Sequence, residues 1–422
     1  MSSWSSSTKN AHPWEKPAEG ARTAFSRESV DDRPRNRPAQ VVSADHAPLP
    51  NDVLQFHGPI LSITNSSATS GSKRGTLFRP RQSQGRLAKL RRRSDSGSRI
   101  SSEIMAAVPK PIAMDVDTGI DDALAILYAL AHPDLELLGL SCVAGNVALD
   151  QVVINTCRVL DAAGAANIPV AAGAAQPLIE RARRKGGGPH GLNGLGGIQL
   201  PGPSRQPSPL HAVELLHRLI IDATEPVNLV TLAPKTNLAL LLAGHPEIAT
   251  RLGQIIFMGG SLSKDTEFNV WQDPEAAAYV IQSPIPTQMY GVDLFDRLVI
   301  EQADIERFRG RDHSAVRLVA ELLDKPRPQH GGPGNNEVGL LGDAGALLLL
   351  TDPEAFVTED LPVYIGLEGA GRGETIVARG ATDEDPSWPA PHGSPRLQVV
   401  VDVDVTKAAS AFVETINAFP AI

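Results

Sequence analysis

The sequence predicts an α/β fold for residues 105–422: a single domain with a mostly parallel open sheet flanked by helices, Rossmann-like, preceded by a disordered tail over 1–104. Three observations lead there. From residue 110 onward, short runs rich in Val, Ile and Leu alternate with longer segments of helical period. The first of those helices is apolar nearly all round, as a helix packed between layers is. The first 104 residues, by contrast, are rich in Ser, Arg, Pro and Gly and show no sustained periodicity, so they bury too little to offset the entropy of ordering.

The elements follow in order. "KPIAMDV" (110–116) reads as a buried strand and "DDALAILYALAHP" (121–133) as the all-apolar helix. "LELLGLSCVAG" supplies a second strand and "ALDQVVINTCRVLDAAG" an amphipathic helix ended by Gly164. "IPVAAG" is a third strand. "LHAVELLHRLIIDAT" reads as helix, "VNLVTLA" as strand, "TNLALLLAGHP" as helix and "LGQIIFMGG" as strand. "DPEAAAYVIQS" and "IPTQMYGVD" repeat the alternation. Such a β-α-β rhythm implies parallel strands with helices on both faces, and places functional loops along one edge of the sheet. Two Gly/Pro-rich stretches, 180–197 and 325–336, interrupt it as candidate functional loops. Met105 resembles a natural start just before the first strand.

Composition narrows the function. Residues 1–104 carry 17 Lys and Arg against 9 Asp and Glu, so a chain of net charge −9 has a body of −17. That body is unsuited to nucleic acid, whose phosphates need basic surface, and better suited to a divalent cation. Cys142 and Cys157 are the only cysteines; both lie in apolar segments and fit reduced thiols of a cytoplasmic protein. No run approaches the roughly 18 apolar residues of a membrane span, and the N-terminus lacks a signal-peptide core.

The chemistry concentrates in "MDVDTGIDDA" (114–123), with Asp115, Asp117, Asp121 and Asp122. A strand ending near Asp115 and a helix starting near Ile120 leave Asp117–Gly119 as a turn. Asp121 and Asp122 then fall on the first helical turn, where free N–H groups favour negative charge. Capping explains one carboxylate or two, not four. Neighbours on a helix point about 100° apart, so Asp121 and Asp122 serve different partners. A hard cation with oxygen ligands relieves the repulsion of the set. "MDVDT" also matches the D-x-D-x-T start of haloacid-dehalogenase-type phosphatases, but that reading gives Asp121–Asp122 no role. It also lacks a second acid near Asp343.

Taken together, the ordered blocks are similar to inosine–uridine preferring nucleoside hydrolases. "DVDTGIDDALAIL" resembles their D-x-D-P-G-x-D-D-A signature. "VAGNVALDQ" (143–151), "HGLNGLGG" (190–197), "LAPKTNLALLL" (232–242), "IIFMGG…EFNVWQDPEAA" (255–277) and "LLGDAGALLLLTDPEAF" (340–356) resemble later blocks in the same order. The resemblance covers about 105–415. It implies Ca²⁺ held by Asp117, Asp122, Asp343 and the Leu232 carbonyl, with Asp117 deprotonating the attacking water. It further implies that Asp121, Asn146, Glu267, Asn269 and His190 contact the nucleoside. The implied reaction is hydrolysis of the N-glycosidic bond to free base and ribose, in nucleoside catabolism, by a homodimer or homotetramer.

Four positions depart from the family pattern. Gly342 stands where many members have a His thought to protonate a purine leaving group; His330 is a candidate substitute. The segment 261–266 is short and lacks an Asn. Thr118 replaces a Pro and Asn193 an Asp. These departures leave open a non-catalytic relative that binds nucleoside or ribose without turnover.

Overall fold

A computed structural model describes residues 108–165, 167–180, 188–263, 266–325, 338–379 and 393–420. The expectations for the tail over 1–104 and for His330 lie outside the described residues. The first half of the domain runs β1 (Lys110–Val116), α1 (Ile120–Ala131), β2 (Leu135–Cys142), α2 (Leu149–Ala162), β3 (Val170–Ala172), α3 (Ala212–Asp222), β4 (Val227–Thr231), α4 (Thr236–Gly244) and β5 (Leu252–Met258). Next come α5 (Phe268–Gln272), α6 (Pro274–Ile281), β6 (Thr287–Tyr290), α7 (Val292–Phe295), β7 (Val299–Glu301), α8 (Gln302–Arg309), α9 (Ser314–Leu323) and β8 (Val338–Leu340). The chain closes with α10 (Ala344–Thr351), β9 (Phe356–Ile365), β10 (Thr375–Val377), β11 (Arg396–Val403) and α11 (Val405–Asn417).

Among the described residues, nine strands form one sheet in the order β10-β9-β11-β6-β5-β4-β1-β2-β3. From β3 to β11 every neighbouring pair is parallel; β9 and β10 add an antiparallel edge. The mostly parallel open sheet read from the sequence is the one observed. The chain steps outward from β1 to β2 to β3, then returns to lay β4 on the other side of β1. This reversal opens a crevice at the C-terminal ends of β1 and β4, where sheets of this kind bind ligands.

Side-chain alternation splits β1 between two cores. Ile112, Met114 and Val116 pack with α1, α2, α9, α10 and α11, whereas Ala113 joins α3, α4 and α6 on the other face. All of α1 except Leu130 is buried, as the apolar run that follows Asp121 and Asp122 requires. Asp115 shares the parity of Ala113 and therefore lies beneath α4.

Candidate active site

The turn out of β1 is built around its own carboxylates. Asp122, in the first turn of α1, accepts the backbone N–H of Gly119 (2.9 Å) on one oxygen and that of Asp117 (3.1 Å) on the other. Capping is thus part of what Asp122 does. Asp117 in turn accepts the N–H of Asn146 at 2.6 Å. A Cβ on Gly145 would lie 2.0 Å from that same Asp117 oxygen, so the carboxylate fills space that only glycine leaves. The Asn146 side-chain amide reaches Asp122 at 3.3 Å. Asp121 points elsewhere, into a cavity, where the Nδ1 of His190 approaches it at 3.5 Å. That same Nδ1 accepts the N–H of Ile120.

Asp343, at the start of α10, brings a carboxylate from more than two hundred residues away. Oxygens of Asp121, Asp122 and Asp343 lie within 4.8 Å of one another, and all three residues are buried. An all-oxygen, multiply anionic donor set suits a hard divalent cation. The described geometry therefore converges on Asp121, where the sequence reading had Asp117; Asp117 adjoins the set and is linked to Asp122 through Asn146.

The opposite wall comes from β4 and β5. Leu232 follows β4, and its carbonyl accepts the side-chain amide of Asn269 at 2.7 Å. Glu267 caps α5, taking the N–H groups of Asn269 and Val270, and also that of Gly260. Polar residues in a strand-to-helix loop are ordinarily exposed; Glu267 and Asn269 are 3% and 5% exposed, held inward by these bonds.

Burial governs the electrostatics. It is the main cause that pushes Asp117 well above the ordinary carboxylate range, with the neighbouring Asp122 adding to it. Asp122 is raised likewise, by burial and by Asp121. Asp115 is pushed up to about 6 by burial, against the pull of its bonds from Ser141 (2.6 Å) and Asn237 (2.9 Å). Asp115 is wholly buried and does not line the cavity, so it presents no nucleophile there. Nearby, Lys235 is wholly buried, its Nζ donating to the carbonyls of Thr231, Ala233 and Met258 and standing 4.5 Å over the Phe257 ring. Burial lowers it to about 8, while Glu267 and Asp115 hold it up.

The cavity measures about 580 Å³, and its lining includes Asp121, Asn146, His190, Leu232, Glu267, Asn269 and Asp343. Seven of the nine residues singled out from sequence thus face one space. Asp117 and Asp122 lie outside that lining. Sequence reasoning missed Phe268, Trp271 and Phe295, which also line it. In a chain only 4% aromatic, three rings around one cavity form a concentrated apolar frame. It also missed Lys235 and Asn237. The Asn237 amide bridges Asp115, the Cys142 carbonyl and the Ala174 N–H.

The departures acquire physical form. Gly342 has φ +60°, and a Cβ there would meet the Phe295 ring at 2.6 Å. Thr118, buried, satisfies its hydroxyl with that of Thr156 at 2.6 Å. Asn193 turns its amide back on its own loop, bonding Leu195, Gly197 and Ile198.

Residues 112–410 match the family model described as inosine-uridine preferring nucleoside hydrolase. The chain belongs to this family. As a nucleoside hydrolase it is an N-glycosyl hydrolase, and its relatives agree. It is 38% identical over 286 residues to a pyrimidine-specific ribonucleoside hydrolase, RihA, of Photobacterium profundum, covering 66% of this chain and 91% of that one. It is equally similar over 300 residues to the RihA of Salmonella schwarzengrund, covering 70% and 94%. Among solved structures, the plant nucleoside hydrolase PpNRh1 superposes with a TM-score of 0.65 at 26% identity, covering 73% of this hydrolase and 99% of that chain. The purine-preferring ribonucleoside hydrolase of Gardnerella vaginalis gives 0.64 at 29%, covering 74% and 99%.

Proposed function

We propose that this nucleoside hydrolase cleaves the N-glycosidic bond of ribonucleosides, pyrimidine nucleosides first among them, to free base and ribose. The observation that carries the reading is the convergence of the Asp121, Asp122 and Asp343 carboxylates, with Asp121 and Asp343 facing a cavity framed by three aromatic rings. The carboxylates suit a cation and sugar hydroxyls; the rings suit a planar base. The pyrimidine preference follows the names of the relatives at 38% identity.

The residues fit Ca²⁺. Following the family resemblance, Asp117, Asp122, Asp343 and the Leu232 carbonyl would hold it; Asp121 lies with Asp122 and Asp343 and would share. Such an ion supplies Lewis-acid activation of water and an anchor for sugar hydroxyls. Asp117 takes the proton of the attacking water as general base. The water oxygen bonds to C1′ as the C1′–N bond breaks, and its electron pair leaves with the base, which picks up a proton. Asp121, Asn146, Glu267, Asn269 and His190 hold the nucleoside. The surrounding carboxylates stabilise the oxocarbenium-like charge that develops on the sugar.

The test is ribose release from uridine, cytidine and inosine, with and without a chelator. Activity on uridine that the chelator abolishes and calcium restores supports the reading. Asp117→Ala should cut turnover by about 10²–10⁴-fold, the range of general-base catalysis, and undiminished turnover would remove Asp117 from that role. Among the described residues no helix is long and apolar enough to cross a membrane, and both cysteines are buried free thiols. A cytoplasmic homodimer or homotetramer fits these features and the family; sedimentation measures the oligomer.

A further inference from the structure

A second group of metal-type side chains lies away from the cavity. Glu214 and His217 stand three residues apart on α3 and so share one of its faces. His245 ends α4, and Glu247 follows in a short 3-10 turn over Pro246–Thr250. The two imidazole rings stack with centroids 4.0 Å apart. One oxygen of Glu247 lies 3.2 Å from Nε2 of His217 and 3.4 Å from Nδ1 of His245. Donor atoms of Glu214, His217 and His245 all fall within 4.8 Å of one another.

We infer that Glu214, His217 and His245, with Glu247 beside them, form a second metal site that takes a borderline-soft divalent ion of the zinc class. Two imidazole nitrogens with carboxylate oxygens are a donor set zinc accepts and calcium does not favour. The rings are already brought together by stacking and by the shared Glu247 oxygen; an ion displaces those hydrogen bonds and turns the rings out of their stack until both nitrogens face it. The side chains of His217 and His245 are 24% and 29% exposed, which gives an ion access without burying a bare charge. Arg218 is the competing cation: its Nε donates to Glu214 at 2.7 Å and must yield that oxygen.

Position separates this site from the cavity. α4 begins beside the β4 end that carries Leu232 and runs nine residues before reaching His245, roughly 14 Å of helix. An ion here ties α3 to α4, two helices of the same sheet face, and acts on stability, not on the reacting atoms.

The experiment uses the full chain saturated with calcium, titrated with Zn²⁺ by calorimetry and with Co²⁺ by its visible absorption. One zinc ion per chain is expected beyond the calcium, with a rise in Tm. His217→Ala and His245→Ala should each weaken zinc by at least about tenfold and abolish the rise in Tm. Both should keep wild-type ribose release without zinc, which also reports that they fold. Asp122→Asn, which alters the cavity carboxylates, should leave the zinc isotherm in place. Zinc binding that survives both histidine substitutions, or vanishes with Asp122→Asn, overturns the assignment. So does a calcium-saturated protein that takes up no zinc.

Discussion

The Phe295 ring occupies the space that a side chain at position 342 would need: a Cβ built on Gly342 lies 2.6 Å from the ring and 2.8 Å from the Cβ of Asp121. With φ at +60°, the backbone there is also in the left-handed region. The glycine is therefore part of how this cavity is shaped. Gly342→Ala should destabilise the protein by about 1–3 kcal/mol, combining backbone strain with steric conflict. Urea denaturation measures it. Phe295→Ala in the same chain should return the ring's part of the steric share but not the Asp121 or backbone share, so the two changes should couple in a double-mutant cycle. Strict additivity would show that the ring does not fill that space.

Asn237 ties together three strand ends. Its amide donates to Asp115 and the Cys142 carbonyl and accepts from Ala174. Asp115 is wholly buried, so losing a donor leaves a carboxylate more poorly solvated than before. Asn237→Ala should cost roughly 1–3 kcal/mol for each partner left unsatisfied. Asn237→Asp should cost more, since it sets a second carboxylate against Asp115. Thermal denaturation ranks the three proteins, and Asn237→Asp at least as stable as wild type would sink the account.

The fold was legible because its signals are local. Apolar runs of strand length alternate with helical periods, and the nearly all-apolar sequence of α1 announced a helix buried between layers. Seven of the nine expected site residues reached one cavity because they lie in loops and first helical turns that the topology gathers. What the sequence hid is of another kind. Nothing in "LAPKTN" marks Lys235 as buried, because its burial depends on carbonyls of two different strands. Phe295 and Gly342 are 47 positions apart and meet only through tertiary packing. The place of Asp121 among the convergent acids was likewise set by where α10 begins.

Asp161 links α2 to a distant loop. It accepts Nε of Arg205 at 2.7 Å and the Ser204 N–H at 2.6 Å, while Arg205 also donates to the carbonyls of Ala165 and Ile168. Burial alone would raise its pKa, but the Ser204 and Arg205 bonds bring it below the ordinary value. A depressed folded pKa means stability that is fully present above the unfolded value, about 3.9, and lost as pH falls through the folded one. Asp161→Asn should therefore cost about 1–2 kcal/mol at pH 7, the pair being partly open to solvent. The deficit should shrink below about pH 4. Urea titrations at several pH values read it, and a deficit that widens on acidification contradicts the sign.

Trp271 lines the cavity from the end of α5 and, with Phe268 and Phe295, supplies its apolar frame. If a base stacks there, removing the indole should weaken binding by about 1–3 kcal/mol, or roughly 5- to 150-fold. Because the stacked base is held in the ground state as well as in the transition state, the loss should fall mainly on KM. Trp271→Phe should recover most of it, since a smaller ring still offers a face. Steady-state kinetics on uridine would decide between the roles. A fall in kcat at unchanged KM would place Trp271 among the residues that shape the carboxylate site instead.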